Sequence, residues 1–176
     1  MKIYHSEISL KEGFELAKNT KIACIELSPG HKLYEREYQA TGKIKCWCCG
    51  LFAERWVVEK HKNDLVGRSV LNPYALKKKI LVMMNRDHII PRSLGGLNVI
   101  ENLRVSCEDC NSERANRLNK EDKEFILTNK HLFSFDSFKL NKEKMEAMIE
   151  KNQYPRKIKA KIRKPFQEVE KLLKIV

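Results

Sequence analysis

The sequence predicts an α+β protein with three consecutive regions, and three observations support this fold class. Short apolar runs at residues 56–58 and 80–84 are typical of strands. Four cysteines form two closely spaced pairs that flank those runs. The chain after residue 119 carries apolar residues at helical spacing. We therefore expect a small N-terminal α+β segment over residues 1–45, a core over 46–119, and a helical, basic C-terminal region over 120–176.

The first two regions contain the strand candidates. In the N-terminal segment, residues 10–17 have helical spacing, and the short apolar run after them predicts a strand. In the core, the continuous apolar run at 80–84 predicts a buried strand that brings Asp87 and His88 to its end. A helix is expected to begin near Asp109 and to end about ten residues later.

The C-terminal region is predicted to be helical. Asn119 and Asn141 are candidate N-caps for helices over 120–128 and 142–152, since an asparagine side chain can accept hydrogen bonds from the first backbone N–H groups of a helix. Pro165 suits the first turn of a last helix. One face of that helix would carry five apolar side chains, namely Phe166, Val169, Leu172, Leu173 and Val176.

The charge balance predicts a polyanionic partner. Lys and Arg give the 176-residue chain a formal net charge of +12, and residues 151–176 contribute +7 of it. A basic excess of this size is typical of proteins that bind nucleic acid. The alternative is that the charges only form a solvated surface.

The sequence predicts a cytoplasmic protein. No apolar run approaches the roughly 20 residues that span a bilayer, and the first residues lack the apolar stretch of a signal peptide. We expect no membrane partner. Cysteines stay reduced in the cytosol, so the six cysteines favour metal binding over disulfides.

Four of the cysteines have the spacing of a zinc site. Cys46 and Cys49 form one C-x-x-C pair, and Cys107 and Cys110 form a second. Each C-x-x-C turn, or knuckle, places two sulfurs on a tetrahedral Zn²⁺, so the two pairs would supply all four ligands. Buried free thiols are the alternative. Cys48 is a rival to Cys46 as a ligand, but adjacent cysteines are geometrically poorer, and we expect Cys48 to be a packing residue.

A second group of polar residues has the chemistry of a hydrolytic site. A neutral His88 imidazole can take a proton from water near neutral pH. Asp87 offers a carboxylate oxygen and Asn111 an amide oxygen, which both suit Mg²⁺. Adjacent strand residues point to opposite sides, so we expect Asp87 to reach a scissile phosphate through the metal and His88 through water. The other histidines lack such neighbours and are expected to be ordinary: His5, His31, His61 and His131.

The motif around these residues closely resembles the zinc-containing HNH endonucleases. It comprises Asp87-His88-Ile-Ile-Pro91, Gly95-Gly96, Asn102-Leu103 and Cys107-x-x-Cys110-Asn111-x-x-Arg114. The resemblance covers about residues 80–118 and the Cys46/Cys49 pair, and it leaves the remaining half of the chain uncovered. It implies a zinc-stapled, treble-clef-like core with a ββα-metal site, of the phage or mobile-element type.

The resemblance also implies a role for individual residues. His88 is implied as the general base, and Asp87 and Asn111 as ligands of a catalytic Mg²⁺ or Mn²⁺. Asn102 is implied to lock the loop between two strands and to orient His88. Asn111 stands where the family name has a second histidine, a variant that favours a hard cation over a softer metal. Apart from the resemblance, the nearest basic candidates to hold phosphate are Arg92, Arg114 and Arg117. For Arg92 and Arg114 the alternative is a solvated surface position.

Together these features predict a metal-dependent endonuclease that hydrolyses DNA phosphodiester bonds, with double-stranded DNA as the expected substrate and Zn²⁺ as a structural ion. The resemblance implies products with 5′-phosphate and 3′-hydroxyl ends. One alternative is a zinc-stapled DNA-binding module without catalysis, and another is the same chemistry on RNA or branched DNA. The intact set of Asp87, His88, Asn102 and Asn111 favours the enzyme over the non-catalytic module.

Overall fold

The computed structural model describes residues 2–18, 25–27, 31–61 and 69–174. The chain forms two compact units, and each unit is built from two segments of the sequence. The first unit comprises residues 1–86 and 104–113, and the second comprises 87–103 and 114–176. The predicted α+β fold class is confirmed. The division of the sequence into three regions stays a prediction.

A mixed sheet organises the first unit. Its main path runs, in spatial order, through β1 (Lys2–Ser9), β3 (Arg55–His61), β4 (Ser69–Lys77), β5 (Ile80–His88) and β6 (Leu103–Cys107), and β2 (Ile25–Leu27) pairs with β4 in parallel. The pairs β1–β3, β3–β4 and β4–β5 are antiparallel. The strand predicted from the run at 80–84 is confirmed, and Asp87 and His88 are its last two residues.

An aromatic core joins the helices of the first unit to its sheet. The unit contains α1 (Leu10–Lys18) and α2 (His31–Thr41), and α3 (Glu108–Arg114) directly follows β6. Trp56 of β3 is fully buried, meets Phe14 edge-on at 5.3 Å between ring centroids, and donates its indole N–H to the Leu10 carbonyl at 3.1 Å. Tyr34 of α2 donates its hydroxyl to the carbonyl of Met84 at 2.8 Å. This bond anchors α2 to β5, the strand that ends at His88.

The second unit is mainly helical. It contains α4 (Lys120–Thr128), α5 (Phe135–Lys151) and α6 (Arg156–Leu173). Its core includes Ile90 and Leu94 from the segment after β5, and Ile126, Phe138, Ile149, Phe166 and Val169 from the three helices. Within the described residues, none of the helices combines the length and the apolar composition that a bilayer span requires.

The predicted helix boundaries are only partly correct. Asn119 caps α4 as predicted, since its side chain accepts from the N–H of Asp122 at 2.7 Å. The N-cap predicted at Asn141 is wrong, because α5 begins at Phe135 with Ser134 as its N-cap. The helix expected near Asp109 ends at Arg114, ahead of the predicted end, and the next residue adopts a left-handed backbone conformation with φ of 49°.

The last helix also begins earlier than predicted. α6 starts at Arg156, directly after Pro155, and Pro165 lies inside it. A proline within a helix removes one backbone hydrogen bond. Contacts on both sides of Pro165 offset this loss, because Arg163 forms an ion pair with Glu146 of α5, and Phe166 and Val169 are buried in the core.

Candidate metal centre and active site

The four cysteines of the two C-x-x-C pairs converge on one point in the first unit. The sulfur atoms of Cys46, Cys49, Cys107 and Cys110, which we call the cysteine cluster, all lie within 4.8 Å of one another. The Cys49 and Cys107 sulfurs are 3.7 Å apart. Four thiolates bound to Zn²⁺ at about 2.3 Å in a tetrahedron would lie about 3.8 Å apart. The donor set and its spacing therefore fit a structural zinc ion.

Backbone hydrogen bonds shape the first knuckle and tie it to the second. The Cys46 N–H donates to the Leu51 carbonyl at 2.7 Å, and the Gly50 N–H donates to the Cys46 carbonyl at 3.1 Å. Gly50 has a φ of 77°, a left-handed conformation that favours glycine. The Trp47 N–H donates to the Val105 carbonyl at 3.0 Å, so the turn holding Cys46 is attached to the strand that ends at Cys107.

The surroundings of the sulfurs affect their protonation differently. Burial opposes ionisation of Cys46, but hydrogen bonds from the backbone at Cys107, Cys49 and Cys48 outweigh it and lower the pKa of Cys46 to about 7. Burial raises the pKa of Cys107 and also that of Cys110. A metal must displace the protons of such thiols, so we expect zinc affinity to decrease as the pH falls.

The two remaining cysteines, Cys48 and Cys24, lie outside the cysteine cluster or outside the described residues. Cys48, which was expected to be a packing residue, is exposed, and that expectation is wrong. It is not part of the cysteine cluster. Cys24, which belongs to neither C-x-x-C pair, lies outside the described residues.

In the second unit, Asp87 belongs to a buried network of charged groups. Arg114 donates from Nη1 to Asp87 Oδ1 at 2.7 Å and from Nη2 to Asp122 Oδ2 at 3.0 Å. The side chains of Arg114, Asp87 and Asp122 are 9%, 4% and 0% exposed. Arg114 also donates to the carbonyls of His88 at 3.0 Å and Ile89 at 2.7 Å. These groups are called the Arg114 network below.

The Arg114 network uses the whole guanidinium group. Arg114 Nε donates to Asp122 Oδ2 at 3.3 Å, which brings the number of hydrogen bonds to five. A guanidinium has five N–H donors, so each of them has an acceptor within the protein. A phosphate could bind Arg114 only by displacing one of these acceptors, and the predicted phosphate role of Arg114 stays a prediction.

The His88 ring is held by a residue that the sequence did not indicate. His88 Nε2 lies 3.0 Å from Asn98 Oδ1. An amide oxygen only accepts, so a hydrogen bond here requires the His88 tautomer that carries its proton on Nε2. Asn98 is an exposed residue in the loop after Gly96 and belongs to no motif position identified from the sequence. The sequence carries no signal for this contact, because the contact depends on how the loop folds.

Asn102 locks the loop that follows β5. Its side-chain oxygen accepts from the Ile90 N–H at 2.8 Å, and its amide nitrogen donates to the carbonyls of Ile90 at 3.0 Å and Leu97 at 2.8 Å. Its own carbonyl accepts from the Ile89 N–H at 2.9 Å. Gly96 allows this close packing, because a Cβ there would lie 1.9 Å from the Ile90 carbonyl oxygen. The loop carrying Asn98 is therefore fixed relative to the end of β5.

The other predicted site residues lie elsewhere on these elements. Asn111 is half-buried on α3, in the first unit, one helical turn before Arg114. Arg92 and Arg117 are exposed in the second unit. The roles of Asn111 as a metal ligand and of both arginines as phosphate ligands stay predictions.

Comparison with known proteins identifies the motif segment. A family model described as HNH endonuclease matches residues 77–126. That segment contains Asp87, His88, Asn102, Asn111 and the Cys107/Cys110 pair. No curated protein and no solved structure matches the chain. The predicted resemblance to the HNH endonuclease family is thereby confirmed over this segment, and a match to this family points to nuclease activity in general.

Proposed function

We propose that the protein is an endonuclease that uses a Mg²⁺-class ion to hydrolyse DNA phosphodiester bonds, with His88 as the general base. The observation that carries the proposal is the arrangement at the end of β5. His88 and Asp87 are adjacent there, Asn98 holds the His88 ring, and Asn102 locks the intervening loop. These residues fall within the segment that matches the HNH endonucleases.

We take Nδ1 as the nitrogen of His88 that acts, and the contact with Asn98 supports this choice. With the Nε2 proton directed at Asn98 Oδ1, the lone pair of a neutral ring lies on Nδ1. Nδ1 then accepts a proton from the attacking water. As the water oxygen bonds to phosphorus, the bond from phosphorus to the 3′ oxygen breaks, and the leaving oxygen takes a proton from solvent, which gives 5′-phosphate and 3′-hydroxyl ends. The imidazolium returns its proton to solvent.

Asp87 and Asn111 would hold the catalytic ion. Carboxylate and amide oxygens are hard donors that suit Mg²⁺ or Mn²⁺, and the donor chemistry of these residues fits such an ion. When bound, a divalent cation stabilises negative charge on the phosphate and on the leaving oxygen. Asp87 would share its carboxylate between this ion and Arg114, and the Arg114 network would keep the carboxylate in a fixed orientation.

Zn²⁺ would have a separate, structural role at the cysteine cluster. Four thiolates fill a tetrahedral coordination sphere and leave no position for substrate or water. The cysteine cluster lies at the junction of β6 and α3, so the zinc would hold in place the helix that carries Asn111. We therefore assign the two metals to different tasks.

The basic face of α6 is the proposed contact for the DNA backbone. An open groove of about 410 Å³ is lined by Arg156, Lys159, Ala160, Arg163 and Gln167. These positions recur every three to four residues and form one stripe along the helix. Cations on such a stripe can track phosphates without reading base sequence. Double-stranded DNA is the substrate that the proposal favours.

A plasmid-nicking assay tests the proposed chemistry. The parent protein should nick supercoiled DNA in Mg²⁺, and His88→Ala should reduce the rate by about 10²–10⁴-fold, since that is the usual contribution of a general base. His131→Ala is the matched control, because His131 is an exposed histidine of the same unit. A parent protein that binds DNA without cleaving it would favour the non-catalytic module. Cleavage confined to RNA or branched DNA would keep the chemistry and change the substrate.

The salt dependence of DNA binding tests the role of α6. Changing Arg156, Lys157, Lys159 and Lys161 to Gln should weaken binding and flatten the slope of log K against log[salt] by roughly 0.9 for each phosphate that the variant no longer neutralises. Four exposed lysines of the same unit provide a control quartet of equal charge, namely Lys130, Lys139, Lys144 and Lys151. Equal slopes for the two quartets would contradict a specific role for α6.

A further inference from the structure

We propose that Asp122 is a positioning residue that strengthens the binding of a divalent cation at Asp87, through Arg114. The inference rests on the proposed function, because it takes Asp87 as a metal ligand. It concerns a residue that lies 35 positions further along the chain and that no family motif identified from the sequence includes.

The first argument is the charge balance of the Arg114 network. Arg114 carries one positive charge, and it is bonded to both Asp87 and Asp122. With two carboxylates the group has a net charge of −1, whereas Asp87 and Arg114 alone would be a neutral pair. A neutral pair attracts a cation weakly, and the low exposure of all three side chains limits screening by water. Asp122 thus restores the negative charge that a cation at Asp87 requires.

The second argument is geometric. Asp122 Oδ2 accepts from both Nε and Nη2 of Arg114, on the edge of the guanidinium away from Nη1, which bonds Asp87. The planar group cannot rotate toward Asp87 without breaking these bonds. Arg114 therefore donates to Asp87 through Nη1, rather than in the two-pronged pair that an arginine and a carboxylate often form.

The same geometry reaches the backbone of the catalytic residue. Nη1 and Nη2 of Arg114 donate to the carbonyls of His88 and Ile89, directly beyond Asp87. Asp122 is fully buried at the start of α4, and its carboxylate also accepts from the Asn119 N–H at 3.2 Å. It thereby connects the capped start of α4, through Arg114, to the end of β5.

A direct metal titration of Asp122→Asn tests the proposal. The substitution removes the charge and keeps an oxygen that can accept from Asn119 and Arg114. The probe is Mn²⁺, with the free ion followed by electron paramagnetic resonance on the zinc-loaded protein. We expect the dissociation constant for Mn²⁺ to rise by about tenfold, from the loss of one nearby buried charge. The Mg²⁺ concentration for half-maximal nicking should rise in parallel, while the rate at saturating Mg²⁺ stays within about threefold of the parent.

Two control variants separate charge from structure. Glu121→Gln removes an acidic charge from the same turn of α4 at an exposed position. Asn119→Ala removes the N-cap contact that Asp122 shares without changing any charge. Both should leave the Mn²⁺ dissociation constant unchanged, although Asn119→Ala should lower the melting temperature. If Asp122→Asn fails to fold, Asp122→Ser, which is smaller and retains a hydroxyl acceptor, replaces it in the same titration.

The possible outcomes distinguish this inference from the proposed function. A parent protein that binds Mn²⁺ and nicks DNA, with an Asp122→Asn variant of equal Mn²⁺ affinity, would overturn the positioning role alone. A variant that loses rate and stability at unchanged affinity would show a merely structural role and would overturn it too. A parent protein that neither binds Mn²⁺ nor nicks DNA would overturn both proposals. A weaker affinity in Asp122→Asn, with both controls at the parent value, supports the inference.

Discussion

The cysteine cluster and the Arg114 network both join residues from distant parts of the sequence, but they satisfy their chemistry in different ways. The cysteine cluster brings together four groups of one kind, and nothing among them offers the positive charge that thiolates require. The Arg114 network combines one cation with two carboxylates and two backbone carbonyls, so each guanidinium donor has an acceptor within the protein and one of the two negative charges is compensated.

This difference indicates what each site needs from outside. Four convergent sulfurs at tetrahedral spacing are stable as a set of thiolates only with a metal, so the cluster fits a bound structural ion. The Arg114 network satisfies all the hydrogen bonds of its own guanidinium, retains one negative charge in excess, and is able to position neighbouring groups. Buried charges are expensive unless they are paired, and this network pairs them at the end of the strand that carries His88.

Removing one sulfur should have the largest effect on the protein. Cys110→Ser should release zinc and unfold the motif region, because the binding energy of a structural zinc ion is folding energy. Elemental analysis and thermal unfolding would measure the two effects. Cys48→Ser is the matched control, since Cys48 is exposed and lies outside the cluster. A parent protein that contains no zinc would contradict the assignment of the cluster.

Breaking the Arg114 network should destabilise the protein less than Cys110→Ser does, and it should leave zinc in place. Arg114→Ala removes the cation that is bonded to both Asp87 and Asp122, and loss of one partner from a buried ion pair typically costs about 3–5 kcal/mol. Chemical denaturation would measure the change in the free energy of unfolding. Arg92→Ala, at an exposed position of the same unit, should change it by less than about 0.5 kcal/mol. A similar small change for Arg114→Ala would mean that the network contributes little.

Changing the partner of His88 should affect activity more than stability. Asn98→Ala removes a single hydrogen bond from an exposed residue, and the rate of nicking should fall by about tenfold because the ring loses its orientation. Asn98→Asp keeps an acceptor and should retain most of the rate. Equal rates for the parent and Asn98→Ala would remove Asn98 from the proposed mechanism.

The smallest effect on stability is expected at the ion pair of Arg163 and Glu146, which is more exposed than the Arg114 network. Arg163 and Glu146 join α6 to α5, and the hydrogen bonds from Arg163 lower the pKa of Glu146. Glu146→Gln should cost no more than about 1 kcal/mol, as for other solvent-exposed pairs. Because the pKa of Glu146 is lower in the folded protein than in the unfolded chain, this contribution is present at neutral pH and should disappear as the pH falls through the acidic range below about 4.5. The measurement is the free energy of unfolding of the parent protein and of Glu146→Gln at several pH values. A difference between the two proteins that stays constant from neutral to acidic pH would contradict this prediction.

Short-range patterns made parts of both sites predictable. The C-x-x-C spacing identified all four members of the cysteine cluster, since two residues between cysteines suit a single metal whatever separates the pairs. The run at 80–84 located β5 and placed Asp87 and His88 at its end. Asn119 was identified as an N-cap because the signal for a helix start lies within four residues.

The contacts that sequence analysis missed depend on tertiary structure. Asp122 has the sequence signature of a capping residue, and its bonds to Arg114 follow only from how α4 packs in the second unit. Asn98 lies in a loop whose path is set by Asn102. Pro165 predicted a helix start, but packing of Phe166 and Val169 carries α6 through it. Asn141 was predicted to cap a helix, yet it lies within α5 and donates to the Arg92 carbonyl.

The central claim is that zinc serves the fold while a different, hard cation serves the chemistry. Its most direct test is to measure zinc content and nicking rate on the same sample, before and after passage over a resin that removes weakly bound divalent ions, and again after adding Mg²⁺. We expect zinc to stay near one per chain throughout, with nicking abolished after the resin and restored by Mg²⁺. Nicking that continues at the original rate with zinc alone would contradict the claim.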